Sequence, residues 1–183
     1  MNKTVDTNIG VLHYVVEEIP WELFNAKPGD VGFDIPVVVK AKNKKNKPRL
    51  KPHRDCWVHE DGTKDDPVPF VDIPPGGSAE LATGIRLKLP DDAWVNIKPR
   101  SSTAWKKRLE VCEAVIDSGY TGRLFVLVRN PNQDPIRVHE GDRLAQIILI
   151  PKYSLNQLKK VEILPETERG STGFGSSGGH TKL

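Results

Sequence analysis

The chain has 183 residues, of which only two are cysteine and 7% are aromatic. Cys56 and Cys112 are too few for a disulfide-stapled scaffold and lack CxxC spacing, so a reducing compartment is the default expectation. No run of 18 apolar residues exists, which removes any candidate for a membrane-crossing helix. The opening residues, Met1-Asn2-Lys3-Thr4-Val5-Asp6, lack the apolar stretch of a signal peptide. These absences lead us to expect a soluble, cytoplasmic protein with no membrane partner. An excess of one charge is lacking too. Lys+Arg 27 against Asp+Glu 24 leaves +3, so composition announces neither a nucleic-acid binder nor a membrane binder. No Gly-rich stretch ends in Gly-Lys-Ser/Thr, which excludes a Walker A loop.

What the sequence does have is punctuation. Fifteen Gly and fifteen Pro are scattered through it, which favours short strands and turns over long helices. A hydrophobic content of 37% can bury one core. Strand candidates rich in Val, Ile and Leu fall at residues 11–16, 35–40, 79–89, 94–98, 124–129, 144–150 and 161–164. Alternation such as Ile85-Arg86-Leu87-Lys88-Leu89 puts apolar groups on one face and charges on the other. The spacing predicts an all-β sandwich, barrel or jelly roll. Helix is limited to single turns near residues 21–25 and 103–108, with Ser101 or Ser102 placed to cap the second.

Two segments break this pattern. Residues 40–54 hold eight Lys or Arg, and acidic residues follow over 60–66. This reads as a polar, exposed insertion between strands, open to a protein or nucleic-acid partner. Within it His53, Cys56 and His59 offer zinc-type donors, but no distant second pair completes a site. The other segment is the Gly- and Ser-rich stretch 169–180, which has no apolar period and is expected to be mobile in isolation. It contains a literal GxGxxG from Gly173 to Gly178, without the following helix that a dinucleotide fingerprint needs.

Chemistry-bearing residues gather at strand ends. In Lys98-Pro99-Arg100-Ser101-Ser102, a guanidinium, two hydroxyls and the amides of a helix start can hold a phosphate. In Val115-Ile116-Asp117-Ser118-Gly119-Tyr120-Thr121-Gly122, a hairpin tip brings a carboxylate beside an aromatic ring, one able to activate water and the other to pack on a sugar. In Glu140-Gly141-Asp142-Arg143-Leu144-Ala145-Gln146, the amide of Gln146 interrupts an apolar strand and is either a structural pin or a ligand contact. In Arg169-Gly170-Ser171-Thr172-Gly173-Phe174-Gly175, an Arg for phosphate and a Phe for a base sit among glycines that let backbone approach closely.

In order and content these clusters, preceded by Gly32-Phe33-Asp34-Ile35, resemble the five motifs of the trimeric all-β dUTPase family. The resemblance covers roughly 32–178 apart from the insertion. It implies a jelly-roll (β-clip) fold in one domain over 1–168, with 40–66 as an inserted loop of the kind found in some virus-encoded members. A mobile C-terminal arm, 169–183, would carry the fifth motif. It further implies a homotrimer whose active sites draw on several subunits, located in the host cytoplasm if the chain is viral. The implied reaction is hydrolysis of dUTP to dUMP and pyrophosphate, assisted by Mg²⁺ held by substrate phosphates and waters and by no direct protein ligand.

In that scheme Asp117 orients the water for in-line attack on the α-phosphorus. Tyr120 packs on the deoxyribose where a 2′-hydroxyl would clash, and hairpin backbone groups read the uracil edge. Arg100, Ser101, Ser102 and Gln146 handle phosphates. Arg169, Ser171 and Thr172 close over the γ-phosphate and Phe174 over the uracil, while Asp34 supports the site. The sequence departs from the family at the long span between Asp34 and Ile73, at Ala114 where Gly is more usual, and at Val111 where some members carry a uracil-contacting Asn. A regulatory role for the basic insertion on the same scaffold is the alternative reading. The related dCTP deaminases share Pro-Arg-Ser-Ser, but Trp105 and Leu127 stand where those enzymes carry an Arg and a catalytic Glu.

Overall fold

Strands form where β-branched and leucine side chains alternate with polar ones, and they stack because each buries one face. The computed structural model describes residues 3–7, 10–17, 23, 27–39, 51–52, 56–153, 159–168 and 170. It is nearly all β. The strands are β1 Lys3–Thr7, β2 Gly10–Val16, β3 Phe33–Pro36, β4 Lys51–Pro52, β5 Trp57–His59, β6 Phe70–Ile73 and β7 Ser78–Lys88. They continue with β8 Ala93–Pro99, β9 Glu110–Val111, β10 Ala114–Ile116, β11 Arg123–Arg129, β12 Ile136–His139 and β13 Arg143–Pro151.

Three antiparallel sheets result. One runs β1-β2-β7-β11-β9, with β4 also on β7; the second runs β10-β8-β13-β3; the third runs β12-β6-β5. Their inward faces meet in one apolar cluster that includes Leu12, Leu81 and Leu124 from the first sheet, Ile35, Ile97 and Ile147 from the second, and Val71 and Val138 from the third. Burying a side chain of this size contributes about 1.5–3 kcal/mol. The long strand β7 serves two neighbours in turn, pairing β4 through Ala79 and Glu80 and β2 through Ile85 to Lys88. Gly84, at φ 68°, makes the bend between those two stretches.

The strands expected over 11–16, 79–89, 94–98, 124–129 and 144–150 are present with ends shifted by a residue or so. Of the stretch read as a strand over 35–40, only Ile35 and Pro36 join β3, Val38 forms an isolated bridge with Ala82, and Lys40 lies outside the described residues. Pro36 has no N–H to give, and beyond it the backbone changes partner: Val37 N–H donates to Asp142 and Val38 N–H to Ala82. No strand forms over 161–164, where no neighbouring segment pairs with it among the described residues. Residues 21–25 lie outside the described residues apart from Leu23. The turn expected at 103–108 is a π-helical turn over Thr103–Lys107, and Ser102 makes no side-chain cap; its backbone is already helical, at φ −61° and ψ −30°.

The described part of the insertion is folded rather than simply exposed. Lys51–Pro52 and Trp57–His59 are strands on β7 and β6. The chain divides into two compact units, Met1–Lys152 and Tyr153–Leu183. The division follows directly on the end of β13 and falls ahead of the expected arm. In the second unit, Gly170 N–H donates to the Thr167 carbonyl in a turn.

Candidate functional site

β8 ends at Pro99. One residue on, Arg100 N–H donates to the Leu144 carbonyl, and the buried Thr103 hydroxyl donates to the same oxygen at 2.8 Å. The turn carrying Ser101 and Ser102 is thus pinned to the start of β13. On the far side of β13, β3 sets Asp34 opposite Gln146, which is itself opposite Lys98 of β8. This register brings Asp34, Arg100 and Gln146 to one end of the sheet.

Asp34 is buried and takes both nearby guanidiniums. Its Oδ1 lies 2.6 Å from Arg100 Nε and its Oδ2 3.3 Å from Arg143 Nη1. Arg100 Nη1 also donates to the Arg143 carbonyl at 2.8 Å. The Gln146 amide donates to the Pro99 carbonyl at 3.2 Å, and its oxygen occupies the space beside Gly32. A Cβ at position 32 would stand 2.2 Å from that oxygen, so any larger residue there would push the Gln146 amide aside. Asp34, Arg100, Ser101 and Gln146 line one cavity of about 280 Å³. Ser102 faces a neighbouring cavity of about 370 Å³, with Arg100, Lys106, Lys107 and Arg143 in its wall. Lys107 Nζ is 2.9 Å from Asp142 Oδ2. Four cations thus face three carboxylates, Asp30, Asp34 and Asp142, and the remaining positive charge suits a polyanion.

The second cluster lies on the turn from β10, which pairs β8, to β11, which pairs β7 and β9; the hairpin expected from the sequence is instead a crossing between two sheets, and its tip is this turn. After β10 the chain turns at once, with Tyr120 N–H donating to the Asp117 carbonyl at 3.0 Å. The Asp117 side chain is exposed. The Tyr120 ring folds back over Gly122, where a Cβ would meet its hydroxyl at 2.4 Å, and that hydroxyl donates to the Arg123 carbonyl at 2.8 Å. The ring is 44% exposed, so it keeps an open surface for a ligand.

The structure brings Asp34, Arg100, Ser101 and Gln146 together and sets Asp117 with Tyr120 elsewhere. Ala114 pairs with Ile97 and Ile116 with Val95, so the tip points toward the Trp94 end of β8 while Arg100 follows its other end. Six residues of strand separate these positions, about 20 Å at ~3.4 Å per residue. Arg169, Ser171, Thr172 and Phe174 lie outside the described residues. Arg143 was not singled out from the sequence. Its place one residue beyond the Gly141-Asp142 turn was the available signal.

A third polar group lies on the β12-β6-β5 sheet. Arg137 forks onto Asp72 at 2.8 Å and Asp66 at 3.1 Å, and its guanidinium carbon sits 3.6 Å from the Phe70 ring centroid. His139 Nε2 is 2.8 Å from Asp66, and His59 stacks on Phe70 with centroids 4.3 Å apart. The His139 hydrogen bond, then Arg137, hold the Asp66 carboxyl below its usual range. Of the zinc-type donors, His53 lies outside the described residues, and the Cys56 thiol faces the Ser78 carbonyl at 3.5 Å. No three His, Cys, Asp or Glu converge as a metal site among the described residues. Nor is any described helix long and apolar enough to cross a membrane.

Comparison with known proteins points to one family. The family model described as dUTPase matches residues 70–178. The chain is similar to the deoxyuridine 5'-triphosphate nucleotidohydrolase of Crocosphaera subtropica, 34% identical over 143 residues, covering 77% of this chain and 96% of that protein. A relative from Frog virus 3 is 38% identical over 108 residues, and the match spans 59% of this chain and 65% of the viral protein. Among solved structures, the Staphylococcus bacteriophage 80alpha dUTPase with dUPNHPP superposes with a TM-score of 0.68 at 21% identity, covering 94% of this chain and 99% of that one.

Proposed function

The chain belongs to the dUTPase family, and we propose that it hydrolyses dUTP to dUMP and pyrophosphate through a water that Asp117 orients toward the α-phosphorus. The observation that carries this reading is the presence of two complementary half-sites at opposite ends of β8. The cavity of Asp34, Arg100, Ser101 and Gln146 has the charge and donors to grip phosphates. The exposed Asp117 and half-open Tyr120 have the chemistry to direct water and pack on a sugar.

At about 20 Å apart along β8, the two halves of one chain cannot hold the same α-phosphate within hydrogen-bond reach. A site therefore needs the tip of one copy against the cavity of another. This supports the homotrimer, with Arg169, Ser171, Thr172 and Phe174 closing over the nucleotide as a lid.

Asp34 is already committed to Arg100 and Arg143, which argues against a protein-held metal there. Mg²⁺ fits instead as an ion carried on the triphosphate with its waters, where it would spread charge on the departing pyrophosphate. Arg100 adds to that stabilisation, and Asp34 holds its guanidinium in place. Attack at the α-phosphorus breaks the bond to the bridging oxygen, and the water proton passes to Asp117.

The test is to incubate the protein with dUTP, dTTP, dCTP and UTP plus Mg²⁺ in ¹⁸O-water and identify the products. Turnover of dUTP with label in dUMP is expected. Label in pyrophosphate would move the attack to another phosphorus, and deaminated or absent products would overturn the reading.

A further inference from the structure

We propose that Glu17 is a positioning residue for the tip between β10 and β11, acting through Arg86 and Arg123 on the segment that carries Tyr120. The inference rests on the reading of that tip as the half of the site that handles water and sugar. Glu17 follows β2, and its N–H donates to the Gly84 carbonyl at 2.7 Å, which anchors it at the bend of β7. Arg86 of β7 and Arg123 of β11 are directly opposite in register. Like charges so placed repel and would push the two strands apart at the base of the tip.

The Glu17 carboxylate lies between them. Its Oε1 is 3.2 Å from Arg86 Nη1 and its Oε2 is 2.5 Å from Arg123 Nη2. With that repulsion neutralised, Arg86 Nε donates to the Thr121 carbonyl at 2.8 Å, and the Arg123 carbonyl accepts the Tyr120 hydroxyl at 2.8 Å. Two lines of contact therefore run from one carboxylate to the tip. One reaches the backbone next to Tyr120, and the other reaches the residue that fixes the far end of its ring. The Arg123 side chain is only 10% exposed, so water is a poor substitute for Glu17 there.

The experiment uses the full chain with Glu17→Gln, Glu17→Asp and Arg86→Met. Glu17→Gln keeps shape and removes charge. Amide hydrogen exchange over 118–123 should rise about tenfold, with β8 and β13 unchanged. Its kcat/KM for dUTP should fall about tenfold, mainly through kcat, because a small misplacement of a reacting group costs rate steeply. Its preference for dUTP over UTP should narrow, and Glu17→Asp should restore much of both. Arg86→Met removes the like-charge pair, so it should fold as well as the parent, yet it releases Thr121. The same exchange and selectivity changes with an unchanged melting temperature would separate positioning from general stability.

Parent-like exchange and selectivity in Arg86→Met, or in a folded Glu17→Gln, would overturn the proposal. A parent protein that turned over no nucleotide would end the functional reading, while the exchange data would still decide whether Glu17 braces the tip.

Discussion

At the Pro99 end of β8 the charged side chains of Asp34, Arg100 and Arg143 are held by one another, whereas at the Trp94 end the Tyr120 hydroxyl is held by backbone and Asp117 faces outward. Asp34 is buried between two guanidiniums, and Gln146 fills the space beside Gly32. Asp117 and Tyr120 stand exposed on the turn between β10 and β11. A phosphate grip profits from pre-set charges whose geometry costs nothing to reorganise when the ligand arrives. On the proposed reading the projecting group meets a nucleotide held by another copy, and so it has to reach outward. Its precision then depends on ties made behind it, at Gly122, Arg123 and Thr121.

The sharpest way to break this comparison is to remove charge from the projecting end alone. Asp117→Asn should lower kcat by about 10²–10⁴-fold, the usual worth of a positioned acid or base. Nucleotide binding, measured by calorimetry with a non-hydrolysable dUTP analogue, should persist because the phosphate cavity is untouched. Parent-like turnover would remove Asp117 from the chemistry.

At the other end, Asp34→Asn should act on both stability and binding. Two guanidiniums would lose their counter-charge, and a folded-state cost of about 2–3 kcal/mol is expected, below the full value for a buried pair because Arg143 is partly exposed. Denaturant unfolding checks the first effect and a rise in KM for dUTP the second. Gly122→Ala should be milder in stability than in selectivity. The added methyl displaces the Tyr120 ring, so kcat/KM for dUTP should fall about tenfold while discrimination against UTP narrows. Unchanged selectivity would mean that the ring does not meet the sugar.

The two ends also differ in how much of them the sequence could reveal. Arg100, Ser101, Asp117, Tyr120 and Gln146 stand out because polar groups interrupt apolar runs or sit at turns. The pairing of Asp34 with Arg100 and Arg143 was not legible, since it depends on β3 lying beside β13, a contact between residues a hundred positions apart. The separation of the two clusters along β8 required the register itself. Among the strands, β7, β8, β11 and β13 announce themselves by alternation and burial. Missed were β1, polar and at a sheet edge; β5, inside a charged insertion; the four-residue β6 and β12, whose pairing is long-range; and β4, β9 and β10, of two or three residues each, too short to show alternation. Glu17, outside every motif, becomes visible only once Arg86 and Arg123 are seen to face each other.

The smallest effect sharpens the comparison from beneath the tip. Hydrogen bonding from Arg123 outweighs the opposing cost of burial and, with Arg86, holds the Glu17 carboxyl below its ordinary value of 4.5. A depressed folded-state value means that the ionised form favours the folded chain. Its contribution is complete above pH 4.5, drains as pH falls below that, and is gone once pH passes below the folded-state value. Because Glu17 and Arg86 are partly exposed, solvent and salt screen the pair, and the expected change is a fraction of the total stability. Urea midpoints measured from pH 7 to pH 3 should therefore fall more steeply for the parent than for Glu17→Gln, the two curves converging at the acid end. Parallel curves would mean that the carboxylate gives the base of the tip no net support, leaving the ties to Thr121 and Tyr120 to stand without it.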